Sequence, residues 1–231
     1  PNQPSEPKPD VSGLANGTGA ALYGPDNPYA IASLDECLGR REVEKVLVAL
    51  EYQGYMLEPK QSFLVEGADG EEKGSIWFLA MRSVDNASSD AAVVACIRVG
   101  GDFSVAPATI TTRAPLNQAG FEPISEGVWM KPVQASEIEN TFLESCPNDP
   151  FPLKGDEGPQ LRPSEGFWGA FLECLVSKVP GDVIGCVVSC RILPFGMFTC
   201  IIACATGVAL ANVINCLFIA YRYGGSEKKV E

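Results

Sequence analysis

The chain has 231 residues, 46% of them hydrophobic, with three Trp and eleven Phe, enough apolar matter for a packed core and too much for global disorder. Its 17 basic and 29 acidic residues leave a net charge of −12, which argues against a nucleic-acid partner, because phosphate binding needs clustered Lys and Arg. Histidine is absent, so no Ser–His–Asp or Cys–His nucleophile and no His-ligated zinc or haem can be assembled, and neither catalytic residues, metal ligands nor a cofactor are expected.

Residues 1–30 hold six prolines (Pro1, Pro4, Pro7, Pro9, Pro25 and Pro28), several glycines and few large apolar groups, which predicts a flexible arm. Gly17-Thr-Gly19 is faintly like a phosphate loop, but it follows no strand and Leu22 occupies the third glycine position. Sequons at Asn16 and Asn86 matter only in a glycosylating host. Ser33-Leu-Asp-Glu36 reads as a capping box opening a helix. Leu34, Cys37, Leu38, Val43, Val46, Leu47 and Leu50 continue it at helical spacing, and Gly54 suits its stop.

Short β-like runs follow at Ser62–Val65, Ser75–Met81, Ala92–Val99 and Phe103–Thr112, with another at Val128–Val133. Turn signals bound them at Ala68-Asp-Gly70, Asp85-Asn86 and Gly100-Gly-Asp102, the last reading as a hairpin. Ser136-Glu-Ile-Glu139 offers a second capping box, before a short helix through Phe142 and Leu143. Residues 31–145 are therefore expected to form an acidic α+β domain, a helix packed on an antiparallel sheet. Of its cysteines, Cys96 sits in a strand and is expected to be a buried apolar residue.

Cys146-Pro-Asn-Asp-Pro-Phe-Pro152 opens a Pro/Gly-rich linker over residues 146–165, exposed chain of the kind a processing protease finds. Beyond it the composition changes. Residues 1–160 carry 11 basic and 24 acidic groups (−13), whereas 161–231 carry 6 and 5 (+1). Residues 166–225 are expected to form an apolar, cysteine-rich, all-α module, followed by a charged tail over 226–231.

Cysteines fall in the module at 174, 186, 190, 200, 204 and 216, with gaps of eleven, three, nine, three and eleven residues, a palindrome about the turn at Leu193-Pro194-Phe195-Gly196. Cys186/Cys190 and Cys200/Cys204 are each one helical turn apart, so each pair shares a face. Folding back at Pro194 suggests nested bridges, Cys190–Cys200, Cys186–Cys204 and Cys174–Cys216, one of fifteen possible pairings. Two other readings compete. Phe198–Tyr221 is long enough to span a bilayer and would anchor the chain, with Lys228-Lys229 as a cytoplasmic tail, although Thr206, Asn212 and Asn215 would waste polarity there. The three-residue gaps also fit a zinc module, which the apolar helical context opposes.

The module's apolar side chains exceed what so small a unit can bury, and Ile201, Ile202, Leu210, Leu217 and Phe218 are expected to face lipid. Cys186-Val-Val-Ser-Cys190, Cys200-Ile-Ile-Ala-Cys204 and the Gly/Ala-rich run Ala205-Thr-Gly-Val-Ala-Leu-Ala211 before Cys216 resemble the halocin-type Cys-rich bacteriocin precursors. Leu57-Glu-Pro-Lys60, after its helix, is more faintly similar to that family's N-terminal half. The resemblance implies an N-terminal pro or immunity region and a cleaved, hydrophobic, Cys-rich C-terminal peptide. The expectation is a secreted antimicrobial precursor whose partners are a target-cell membrane and its own N-terminal domain, which masks the module or confers immunity. The alternative is a secreted structural or interaction protein, oligomerised or membrane-anchored through the module. The nine cysteines favour an oxidising compartment; the chain opens on Pro1, as it would after removal of a signal peptide.

Overall fold

Two long apolar runs, Ser75-Ile-Trp-Phe-Leu-Ala-Met81 and Ala91-Ala-Val-Val-Ala-Cys-Ile97, set the architecture. Neither alternates apolar with polar, so a strand made from either must be covered on both faces. A computed structural model describes residues 20–69, 71–85, 90–112, 120–125, 128–145, 165–178 and 215–221, and in it both runs lie at the centre of one antiparallel sheet.

The strands are β1 (Ala21–Tyr23), β2 (Tyr55–Leu57), β3 (Phe63–Asp69), β4 (Glu72–Ser83), β5 (Asp90–Val99), β6 (Asp102–Thr111), β7 (Glu122–Ser125) and β8 (Val128–Pro132), ordered β1-β3-β4-β5-β6-β8-β7. Strand β4 is long enough to pair β3 along its first half and β2 along its second. Each central connection is a hairpin. Between β5 and β6, Val99 faces Asp102 across a two-residue loop, and Gly100 takes φ 59°, which a side chain would disfavour.

Helices cover both faces. On the first lie α1 (Pro28–Leu38), α2 (Arg41–Tyr52) and α3 (Ala135–Ser145). Their Ala30, Cys37, Val43, Val46, Leu50 and Ile138 pack with Leu64, Trp77, Leu79, Met81, Val94 and Cys96 of the sheet. On the second lie α4 (Glu165–Lys178) and residues 215–221, here α5. Their Phe167, Trp168, Phe171, Cys174, Cys216, Leu217 and Phe218 pack with Val65, Ile76, Phe78, Val93, Ile97 and Ile110. The α+β expectation for the acidic domain holds. The sheet is not half-open, however, because its second face carries helices drawn from the cysteine-rich segment.

Several boundaries differ from the sequence reading. The arm over 1–30 ends early: β1 adds to the sheet beside β3, and α1 begins at Pro28. Asn27, not Ser33, caps α1, its Oδ1 accepting from the backbone N–H groups of Tyr29 and Ala30, with Pro28 at the first helical position. Ser33 faces the sheet from mid-helix. The single helix expected up to Gly54 is two, broken at Gly39 and Arg40, where Arg40 turns extended at ψ 133° and α2 restarts with Glu42 and Glu44 in its first turn, favourable to the helix dipole. Gly54 follows the end of α2 at φ 88°, as its expected stop requires. Helix α3 starts one residue before Ser136. The linker core and the hairpin about Pro194 lie outside the described residues.

Candidate functional site

Two described pieces of the segment expected to carry activity, α4 and α5, are seated on the sheet. Along α4, residues 167, 168, 171 and 174 recur at helical spacing and form one buried face. The Phe78 ring of β4 lies 6.1 Å from Phe171 and 6.5 Å from Trp168, while Phe167 stacks on Phe171 at 5.5 Å. Helix α5 approaches β4 at Gly74, where a Cβ would stand 2.9 Å from Phe218 Cζ and 3.1 Å from Leu217 Cδ2. Only glycine admits a helix this close. At the end of α5 the Tyr221 hydroxyl donates to Asp102 Oδ2 at 2.7 Å, fixing α5 beside the β5–β6 hairpin.

A disulfide joins Cys174 of α4 to Cys216 of α5, with a Cα–Cα distance of 5.4 Å, so the two helices form one tied unit on the sheet. Cys186, Cys190, Cys200 and Cys204 lie outside the described residues, as do Ile201, Ile202 and Leu210. Leu217 and Phe218, expected to face lipid, are 0% and 1% exposed against the sheet. In the folded chain the face they present is apolar and β4 covers it. No helix among the described residues is long and apolar enough to cross a membrane.

A second feature lies on the other face, and sequence reasoning missed it. Helix α1 runs across the strands, and its side chains meet successive strands about one helical turn apart. The Tyr29 hydroxyl donates to Glu66 Oε1 of β3 at 2.7 Å, and Trp77 Nε1 of β4 donates to Ser33 Oγ at 3.0 Å. Arg98 of β5 pairs with Glu36 at 3.3 Å, and the Arg40 guanidinium lies 4.3 Å above the Phe103 ring of β6. Glu66, Ser75, Arg98 and Phe103 are cross-strand neighbours in one row, as are Leu64, Trp77, Cys96 and Val105 in the next. The first row, with Trp77 and Cys96 of the second, floors a cleft of about 330 Å³ walled by α1. The polar residues 29, 33, 36 and 40 at helical spacing were the available signal.

The Tyr29 phenol is expected to respond to pH. Burial, and then the hydrogen bond to Glu66, hold the Tyr29 phenol above its ordinary value of 10.0. Tyr23, whose ring is 5.1 Å from Tyr29, is raised by burial and by Glu66. A raised phenol pKa favours the neutral form in the folded chain. Its contribution is complete below pH 10 and is lost as pH climbs through the higher folded value. Tyr29→Phe is therefore expected to lower the urea midpoint near neutral pH, and the gap to the parent chain should narrow above pH 10. A gap that stays constant into alkali would show that the Tyr29–Glu66 bond contributes nothing.

No protein-family model, curated protein or solved structure matches this chain.

Proposed function

We propose that this chain is a secreted antimicrobial precursor of bacteriocin type, in which the acidic domain masks a membrane-active, cysteine-rich helical module. The observation that supports the reading is the burial of Trp168, Phe171, Leu217 and Phe218 on the sheet. Apolar area removed from water is worth about 25 cal/mol per Å², and lipid offers it a similar refuge. A surface built to leave water has two destinations, the sheet and a bilayer, and the sheet keeps it from the bilayer.

The masking is mutual. If α4 and α5 left, Val65, Ile76, Phe78, Val93, Ile97 and Ile110 would be uncovered on the sheet. Cutting the linker therefore does not by itself separate the pieces; a target membrane must compete for the module. A producing cell that retains the acidic domain could rebind free module by the same face, which is an immunity function in trans. The Cys174–Cys216 bond lies wholly within the module and stays with it after a cut at 146–164. In the membrane the inner cysteines, paired about Pro194, would hold a helical hairpin, with Ile201, Ile202, Leu210, Leu217 and Phe218 toward lipid.

Mass spectrometry of the secreted product tests this. The expected product is a C-terminal piece beginning between residues 146 and 166 and carrying Cys174 bonded to Cys216. An uncut chain as the sole product would instead support a structural or interaction protein that uses the module as a fixed part of its fold.

A further inference from the structure

Of the three cysteines outside the module, Cys37 and Cys96 lie in two facing elements, and Cys146 lies outside the described residues. Ser33 and Cys37 are one turn apart on α1, and Trp77 and Cys96 are cross-strand partners on β4 and β5. The Trp77–Ser33 hydrogen bond seats one end of this quartet, which places Cys37 over Cys96 at the other. Both line the cleft beneath α1, both belong to the core cluster on that face, and both are buried, Cys37 at 5% and Cys96 at 2% exposure. Two buried thiols facing one cleft from a helix and a central strand are more than the inert apolar filling expected of Cys96 alone.

The geometry points to Cys37 and Cys96 as a dithiol that closes to a disulfide by exchange with a small-molecule disulfide, tying α1 to β5 under the cleft. Cys37 lies on the helix that walls the cleft, whereas Cys96 lies on its floor and is the more buried of the two, which sets the order of events. Cys37 gives up its proton and its sulfur attacks one sulfur of the small disulfide RS–SR, breaking that bond and releasing RS⁻. Cys96 then loses its proton and attacks the Cys37 sulfur of the mixed disulfide, expelling the second RS⁻. The two thiolates take up the two protons and leave as 2 RSH. The cysteines have lost two electrons, and RS–SR has gained them. The sulfurs close to about 2.05 Å, so α1 shifts toward the sheet. The bond lies on the face opposite Cys174–Cys216, and the two together would tie both helical layers, one to the sheet and one to itself.

The test uses the full chain carrying Cys146→Ser, incubated folded with oxidised glutathione, then alkylated under denaturing conditions and mapped without reduction. The expected result is a peptide joining Cys37 to Cys96, lighter by two hydrogen atoms than the two free-thiol peptides together. With Cys96→Ser the reaction should stop at glutathione-bound Cys37; with Cys37→Ser, Cys96 should remain an unmodified thiol until the chain is unfolded. Both thiols recovered alkylated in the parent chain, or glutathione retained on Cys37 while Cys96 is alkylated, would overturn the assignment. Faster modification of Cys96 than of Cys37 would overturn the order of attack.

Discussion

Replacing Phe218 by Ala is expected to destabilise the intact chain by about 3–5 kcal/mol, a core-scale loss from a residue in a segment with the composition of a separate module. The ring is 1% exposed and sits on Gly74, with Leu217 beside it. Nothing small can refill that space without drawing α5 away from β4. The same contact predicts the partner experiment. Gly74→Ala places a Cβ 2.9 Å from Phe218 Cζ and should cost about 1–3 kcal/mol by overpacking. In the Phe218→Ala background its cost should fall to roughly half, because the nearest obstacle is gone and the two sites couple. Urea midpoints of the four chains give the cycle. A Phe218→Ala cost below about 1 kcal/mol, or a Gly74→Ala cost unchanged between backgrounds, would place α5 elsewhere than on β4.

The second large effect is expected from the double substitution Cys174→Ala with Cys216→Ala, at about 2–4 kcal/mol. The bond spans a sequence separation of 42, so it restricts a long stretch of unfolded chain. Its sulfurs are buried between α4, α5 and the sheet, so the substitution also thins the second face. The two contributions separate by location: loss of the tie should raise hydrogen exchange in both α4 and α5, whereas β5 and α2 should change only with global stability. A variant as stable as the parent would mean that sheet packing alone holds the pair.

Much of the acidic domain was legible because its signals are local. The Gly100-Gly101 hairpin, the apolar runs of β4 and β5 and the Gly54 stop each act within a few residues, and each is found where the sequence put it. The start of α1 was misread because Ser33-Leu-Asp-Glu36 satisfies the spacing of a capping box, whereas Asn27-Pro28, the stronger pair, lay among prolines that suggested a flexible arm. The layer on the second face also has a signal in the sequence. Val93, Ala95 and Ile97 face away from α1 and α2, and so long an unbroken apolar run demands a second cover. The C-terminal helices are the apolar matter available to supply it. The Tyr29–Glu66, Ser33–Trp77 and Cys37–Cys96 pairs were beyond reach, since each depends on the angle at which α1 crosses the strands, which no spacing within one segment encodes.

The proposed masking of a membrane-active module by the acidic domain can be read from dye release by anionic phosphatidylglycerol vesicles. The chain would carry a specific protease site within residues 150–160, and release would be measured before and after cutting. The intact chain should be nearly silent, because Leu217 and Phe218 are held on β4, and the cut chain should release dye as lipid draws the module from the sheet. Excess acidic domain added in trans should suppress the release. Equal leakage before and after cutting would contradict masking, and no leakage from either form would contradict a membrane-active module.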